Sequence, residues 1–200
     1  MSINSILRLR MTLAEKLRLQ TSKHHQQIEQ NSLFKKITEN TISLSDYVML
    51  LKKLFGFWQP IESVLLCTSS IPFYSQERVK LPLLQQDLQN LGIAQAEIDS
   101  LPYCSNIPTI NNYAACLGSL YVLEGSMLGG QVITKLLSTQ LGITPATGCA
   151  YFYGYGKQTL FMWQQFCQQL NTLIDDVSHQ MAIQTAIDTF IKLDAWIAHH

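Results

Sequence analysis

The residues best suited to metal chemistry form one row near the N-terminus. Arg18, His25 and Glu29 are spaced by seven and four residues, which places them on one side of an α-helix. A carboxylate beside one imidazole nitrogen selects the tautomer and strengthens the other nitrogen as a metal ligand. Arg18 could hold an anionic group on the same side. His25 is therefore a candidate metal ligand; the alternative is an ordinary histidine on a helix surface.

The other four histidines fit the same chemistry less well. His24 shares an apolar stripe with Leu13 and Leu17, which predicts a position in the core or at its edge. His179 is predicted to be a solvated turn residue between two helices. His199 and His200 are the last two residues of the sequence and take part in no recognisable pattern.

Four glycines interrupt a segment that otherwise reads as one long helix over about 112–140: Gly118, Gly125, Gly129 and Gly130. Each costs a helix ~1 kcal/mol relative to alanine. Gly118, Gly125 and Gly129 lie on nearly the same face together with Val122. Two interpretations remain open. The stripe allows close packing of another helix, or it lets a flat ligand approach the backbone of a helix that bends beside it.

The elements that carry these residues are predicted to be helical throughout, and the fold class all-α, because no stretch alternates with the period of a strand. Capping patterns begin helices at Thr12, Ser43 and Asn111 or Asn112. Pro60 is expected to kink or break its helix. The predicted helices cover about 12–30, 32–39, 43–67, 75–91 (closed by Gly92), 94–100, 112–140, 157–177 and 180–198, and 142–156 is predicted to be a loop.

The composition favours one globular domain over residues 1–200. Hydrophobic residues make up 47% of the chain and charged residues 14%, and the formal net charge is zero. A neutral chain has no bulk attraction for nucleic acid or anionic lipid. Five cysteines without a CxxC pair, and an N-terminus unlike a signal peptide, predict a cytoplasmic protein with reduced thiols.

The apolar segment 117–137 is interpreted as a buried helix and not as a membrane span. Glu124 lies near its middle. An acidic residue at the centre of a bilayer costs ~2.5–3.5 kcal/mol on insertion scales.

Two motifs resemble a known family. The segment LGSLYVLEGSMLGGQVI resembles the distal-helix signature of heme oxygenases, and TSKHHQQIE resembles their proximal helix. A threonine four residues before the ligand and a glutamate four after it select His25 over His24. The later segments YFYGYGKQTLFMWQQF and AIDTFIKLDAWI are similar to the bacterial branch associated with bacteriophytochromes. The resemblance covers about residues 12–198.

This resemblance implies an all-α fold with heme between a proximal helix and a kinked distal helix. It implies that His25 is the axial ligand of the heme iron, and that Ser126 stands where many members have an aspartate that organises water. Basic residues that bind the heme propionates late in the chain are not evident. The implied heme-binding residues are Arg18, Thr21, Val122, His25 and Glu29, and the implied oxygen-side residues are Gly125, Ser126, Gly129 and Gly130. Lys16, Lys157 and Arg10 are weaker candidates for the propionates.

The activity implied is oxidative opening of heme to biliverdin, carbon monoxide and iron, with O2 as oxidant. The implied electron donor is a ferredoxin or flavin reductase, and a bacteriophytochrome is an implied acceptor of biliverdin. Three alternatives stay open. The chain is a heme-binding sensor or carrier, which the serine at position 126 would favour, or a helical scaffold in which the glycines only pack. A thiaminase-like enzyme would need an activated cysteine, for which no partner motif is visible.

Overall fold

The protein, seen in a computed structural model that describes residues 11–67 and 73–198, is built from α-helices, and those residues include no strand. The all-α prediction is confirmed. The helices are α1 (Leu13–Glu29), α2 (Ser32–Thr38), α3 (Leu44–Cys67), α4 (Leu81–Asn90), α5 (Gln95–Asp99), α6 (Tyr113–Leu141), α7 (Ala150–Tyr153), α8 (Thr159–Leu170) and α9 (Asp176–Ala198).

Local hydrogen bonds begin the helices where the capping patterns predicted them. Thr12 and Glu15 form a complete capping box at α1, in which the Thr12 amide donates to Oε2 of Glu15 at 2.8 Å. Ser43 and Asp46 exchange the same pair of bonds at α3, each 3.1 Å long. The Asn112 side chain caps α6. Pro60 lies inside α3 and does not end it.

The predicted start of the fourth helix at residue 75 is wrong, because α4 begins at Leu81 with a proline in its first turn. The cap comes from a distant carboxylate: Glu62 of α3 accepts the backbone N–H groups of Lys80 at 2.7 Å and Leu81 at 3.0 Å. The prediction for its end is confirmed, because Gly92 has a φ of +86°, the left-handed conformation of a C′ residue.

The predicted end of the helix over 157–177 and the predicted start of the helix over 180–198 are both too late in the sequence. Helix α8 already ends at Leu170, and α9 already begins at Asp176, where Asp175 accepts the Ser178 amide at 2.8 Å. His179 therefore lies within the first turn of α9 and is not a solvated turn residue. Its Nε2 is 2.8 Å from the Leu173 carbonyl oxygen, and its Nδ1 is 3.2 Å from Nζ of Lys16.

Helix α9 holds the bundle together, because both α1 and α6 pack along it. The closest approach is at Gly118 of α6, where an added Cβ would collide with the backbone carbonyl of Ala182. At Gly130 an added Cβ would collide in the same way with the carbonyl of Phe152 in α7. These two glycines serve packing.

Helix α6 contains the apolar segment 117–137, and Glu124 at its centre is 2% exposed. The segment is a helix, as predicted, and its part up to Glu124 is largely buried; the part after Gly125 is more exposed, with Val132 64% exposed. Among the described helices, none combines the length and the apolar character needed to cross a membrane.

The buried carboxylate of Asp87 predicts a pH-dependent stability. It begins α7 by accepting the amides of Ala150 at 2.6 Å and Tyr151 at 2.8 Å, inside the loop predicted over 142–156. Burial raises the pKa of Asp87 to about 6, against these hydrogen bonds, which lower it. A raised folded-state pKa means that the folded protein binds the proton more tightly. The contribution of Asp87 to stability is therefore largest near pH 4 and falls as the pH rises through 6.

We expect the wild type to lose roughly 2 kcal/mol of folding stability relative to Asp87→Asn between pH 4 and pH 7. Urea unfolding of both proteins at several pH values measures this difference. Subtracting the stability of the asparagine variant removes the contribution of the other titrating groups. A difference that stays constant over this range would contradict the assignment.

Candidate functional site

His25 lies on α1 beside α9, with its imidazole half exposed. The ring meets Phe190 of α9 edge-on, with the ring centroids 5.8 Å apart and the planes at 75°. Nδ1 is 3.5 Å from Oε1 of Glu29, the carboxylate that the spacing placed there. Within the described residues, Nε2 makes no hydrogen bond and is available as a metal ligand.

One turn before His25, helix α1 touches α6. Thr21 is buried, its hydroxyl donates to the Leu17 carbonyl at 2.8 Å, and the same hydroxyl meets that of Tyr121 on α6. Burial raises the pKa of Tyr121, and the interactions with Thr21 and with the exposed Arg18 oppose this effect. The contact brings the turn that carries His25 to the part of α6 where the glycines begin.

The glycines of α6 fall into two groups. Apart from its own helix backbone and chain neighbours, a Cβ added to Gly129 would have no atom of the described residues within 4 Å, and one added to Gly125 would lie 3.8 Å from Cζ3 of Trp163. Gly118 and Gly130, in contrast, have no room for a side chain. The sequence predicted that Gly118, Val122, Gly125 and Gly129 share one face of α6. On this face Gly118 and Val122 are buried, and the open part is at Gly125 and Gly129.

Ser126 lies beside a buried polar group. Its hydroxyl donates to the Leu123 carbonyl at 2.7 Å and is close to the hydroxyl of Tyr151. Tyr151 is also near Trp58, whose buried Nε1 makes no hydrogen bond of good geometry within the described part of the chain. Burial raises the pKa of Tyr151, so its hydroxyl keeps its proton and can exchange hydrogen bonds with Ser126 or with water.

A buried charged cluster lies directly before Gly125. Nη1 of Arg78 is 2.9 Å from Oε2 of Glu124, and Nζ of Lys80 is 3.7 Å from its Oε1. Tyr155 donates to the same Oε1 at 2.7 Å, and Lys80 donates to Tyr155 at 2.7 Å. This cluster of Arg78, Lys80, Glu124 and Tyr155 joins α6 to the segments before α4 and α8.

Sequence reasoning missed this cluster and the aromatic residues around the site. Glu124 argues against a membrane span, but an acidic residue within an apolar helix also predicts a buried cation as its partner. Arg78 lies in a segment without periodicity, and nothing in the sequence pairs it with Glu124. Trp163 and Phe190 look like ordinary core aromatics of amphipathic helices.

The weaker candidates lie elsewhere. Lys16 is paired with His179, Lys157 is exposed in a short 3-10 turn at Gly156–Gln158, and His24 is partly exposed on α1. Arg10, His199 and His200 lie outside the described residues.

Comparisons with known proteins agree with these observations. The family model described as heme oxygenase matches residues 11–198. A heme oxygenase of Xanthomonas campestris is 34% identical over 92 residues, which are 46% of this chain and 50% of that protein. The match thus spans about half the length of this curated relative.

Solved structures share the fold at lower identity. The heme oxygenase of Leptospira interrogans has a TM-score of 0.79 at 17% identity, over 95% of this chain and all of that one. That of Neisseria meningitidis has a TM-score of 0.75 at 20% identity, over 94% and 90% of the two chains. Heme oxygenase-1 of a Synechocystis cyanobacterium, solved in complex with heme, has a TM-score of 0.74 at 18% identity, over 94% and 91%. Because the family model covers nearly the whole sequence, this chain belongs to the heme oxygenase family.

Proposed function

We propose that the protein binds heme between α1 and α6 and degrades it by oxidation. The observation that carries this proposal is the available imidazole nitrogen of His25 on α1, a helix whose Thr21 contacts Tyr121 of α6, the helix that leaves a surface without a side chain at Gly129. A flat macrocycle needs both, a ligand for its metal and room for its face. The residues present therefore fit heme.

On the proximal side, His25 would bind the iron through Nε2. Glu29 faces Nδ1 at 3.5 Å and would keep the N–H on that nitrogen, which leaves Nε2 as the ligand. Thr21 and Val122 line the neighbouring parts of α1 and α6, and Arg18 would meet a propionate at the exposed end.

On the oxygen side, Gly125 and Gly129 would form the wall, and Gly130 would support it by holding α6 against α7. The hydroxyl of Ser126 can hold a water molecule and pass a proton to it, with the hydroxyl of Tyr151 behind it. When bound, heme supplies the activation of O2 and is itself the molecule oxidised. The chain contributes orientation, exclusion of bulk water and placement of proton donors.

The products we propose are biliverdin, carbon monoxide and ferrous iron, in a single domain acting in the cytoplasm. The electrons would come from a ferredoxin or flavin reductase, and a bacteriophytochrome is the proposed acceptor of biliverdin. The experiment is titration with hemin, followed by addition of a ferredoxin reductase system and O2. Formation of biliverdin with release of carbon monoxide supports the enzyme. Stable binding of heme without turnover supports a sensor or carrier, which the uncharged Ser126 favours, and absence of any Soret shift contradicts both.

Arg18→Glu tests the proximal side. We expect weaker hemin binding with unchanged iron ligation, because Arg18 is exposed two turns from His25 and would meet a propionate. A charge-assisted contact is worth roughly 1.5–3 kcal/mol, so the Kd should rise at least about tenfold. Lys23→Glu, also exposed on α1, is the matched control for the change of charge. Equal Kd values for the two variants would remove Arg18 from the site.

A further inference from the structure

We propose that Trp163 of α8 determines which meso carbon of the porphyrin is cleaved, by limiting how the porphyrin edge enters the space beside Gly125. This inference rests on the proposed function, because it concerns the orientation of the same ligand. It assigns a specificity-determining residue to a helix that carried no predicted site residue.

The open surface of α6 is asymmetric, and Trp163 makes it so. At Gly129 nothing lies within 4 Å of an added Cβ, but at Gly125, one turn earlier, the nearest atoms are Cζ3 and Cη2 of Trp163, at 3.8 and 3.9 Å. The two glycines lie on the same face. A flat ligand on this face therefore meets free space at one glycine and the indole at the other.

The indole is held in position from two sides. Its ring centroid is 5.8 Å from that of Tyr121 on α6 and 5.6 Å from that of Phe166 on α8. Phe166 is fully buried, and Tyr121 is anchored against Thr21 of α1. Trp163 itself remains partly exposed, so part of its side chain can contact a ligand. An aromatic wall held by two further rings is not displaced without cost, because close-packed interiors resist changes in shape.

Helix α8 can contribute only shape at this edge, because none of its own side chains is charged. Helix α8 has the sequence TLFMWQQFCQQL, which contains no acidic or basic residue. A propionate facing α8 therefore finds no cation on that helix. Contact with the indole would then be the way in which α8 limits the in-plane rotation of the porphyrin, whose propionate at the opposite, exposed end would meet Arg18. Rotating the porphyrin in its plane, or turning it over, brings a different one of its four meso carbons to the same position in the site. Contacts the size of one methylene group already discriminate between ligands by about 10- to 200-fold.

The test compares Trp163→Ala and Trp163→Phe with Phe161→Ala. The control removes an aromatic side chain from the same helix, at a position that is 58% exposed. Two readouts are used: the ratio of heme orientations in the ferric cyanide complex, from NMR of the shifted heme methyl signals, and the isomer composition of the biliverdin produced. We expect Trp163→Ala to change both ratios at least about tenfold, Trp163→Phe to change them less, and Phe161→Ala to leave them as in the wild type.

Unchanged ratios in Trp163→Ala would overturn the proposal. If that variant does not fold, Trp163→Leu replaces it, because leucine keeps apolar contact with Phe166 but lacks the flat wall, and the same outcomes apply. Failure of this inference is distinguishable from failure of the proposed function. In the first case the wild type binds hemin and makes biliverdin, but the ratios do not respond to position 163; in the second, the wild type shows no Soret shift.

Discussion

Glu124→Ala is expected to lower the free energy of unfolding by about 3–5 kcal/mol, because it leaves Arg78 as a buried charge without its partner. Both residues are 2% exposed. The same change removes the acceptor of the Tyr155 hydroxyl and the nearest carboxylate to the fully buried Lys80. Three buried polar groups are thus affected by one substitution, and urea unfolding measures the loss.

The control is Glu39→Ala, which removes a carboxylate paired with Lys35 on the surface, where 55% of the glutamate side chain is exposed. An exposed pair of this kind contributes at most about 1 kcal/mol. The double variant Arg78→Met, Glu124→Leu should recover part of the loss, because it removes the charge of Arg78 together with that of Glu124 but leaves Lys80 without its nearest carboxylate. If Glu124→Ala costs no more than Glu39→Ala, the buried pair does not hold α6 as described.

The second large effect concerns the two groups of glycines. Gly129→Leu is expected to abolish formation of biliverdin but to leave the fold and the binding of hemin through His25 largely intact. The reason is that the Cβ of a new side chain at Gly129 meets none of the surrounding described atoms within 4 Å, so a leucine there would extend into the proposed oxygen side. Gly130→Ala is expected to do the reverse and destabilise the heme-free protein, because the new Cβ collides with the Phe152 carbonyl.

Thermal unfolding of the heme-free variants, together with hemin titration and turnover, separates these outcomes. Gly129→Ala is the matched control, and it should raise stability by up to ~1 kcal/mol through helix propensity alone. If Gly129→Leu unfolds the heme-free protein as Gly130→Ala does, both glycines serve packing, and the open face at Gly129 is not a ligand surface.

The parts of the fold that were predictable from sequence depend on neighbours in the chain. The side chains of Thr12, Ser43 and Asn112 accept hydrogen bonds from amides three residues further along the chain. The alignment of Thr21, His25 and Glu29 on one side of α1 follows from helix geometry alone. These contacts form wherever the helix forms, so local pattern is sufficient to find them.

The parts that were missed depend on distant partners. Helix α4 begins where Glu62 of α3 accepts its first amides, and α7 exists because Asp87 accepts two others. The sequence could not show which glycines of α6 serve packing and which face open space. That distinction depends on where the backbone carbonyls of Ala182 and Phe152 come close to α6. The position of His179 was predicted wrongly, because its partners, Lys16 and the Leu173 carbonyl, come from outside its helix and leave no local pattern in the sequence.

The central claim is that His25 holds the heme iron, and the most direct measurement is the absorption and resonance Raman spectrum of the heme complexes of His25→Ala and His24→Ala. His25→Ala is expected to lose the iron–imidazole signature and to regain it when free imidazole is added. His24→Ala, its neighbour on the same helix, should retain the wild-type spectrum. Loss of the signature in His24→Ala, or its persistence in His25→Ala, would contradict the account.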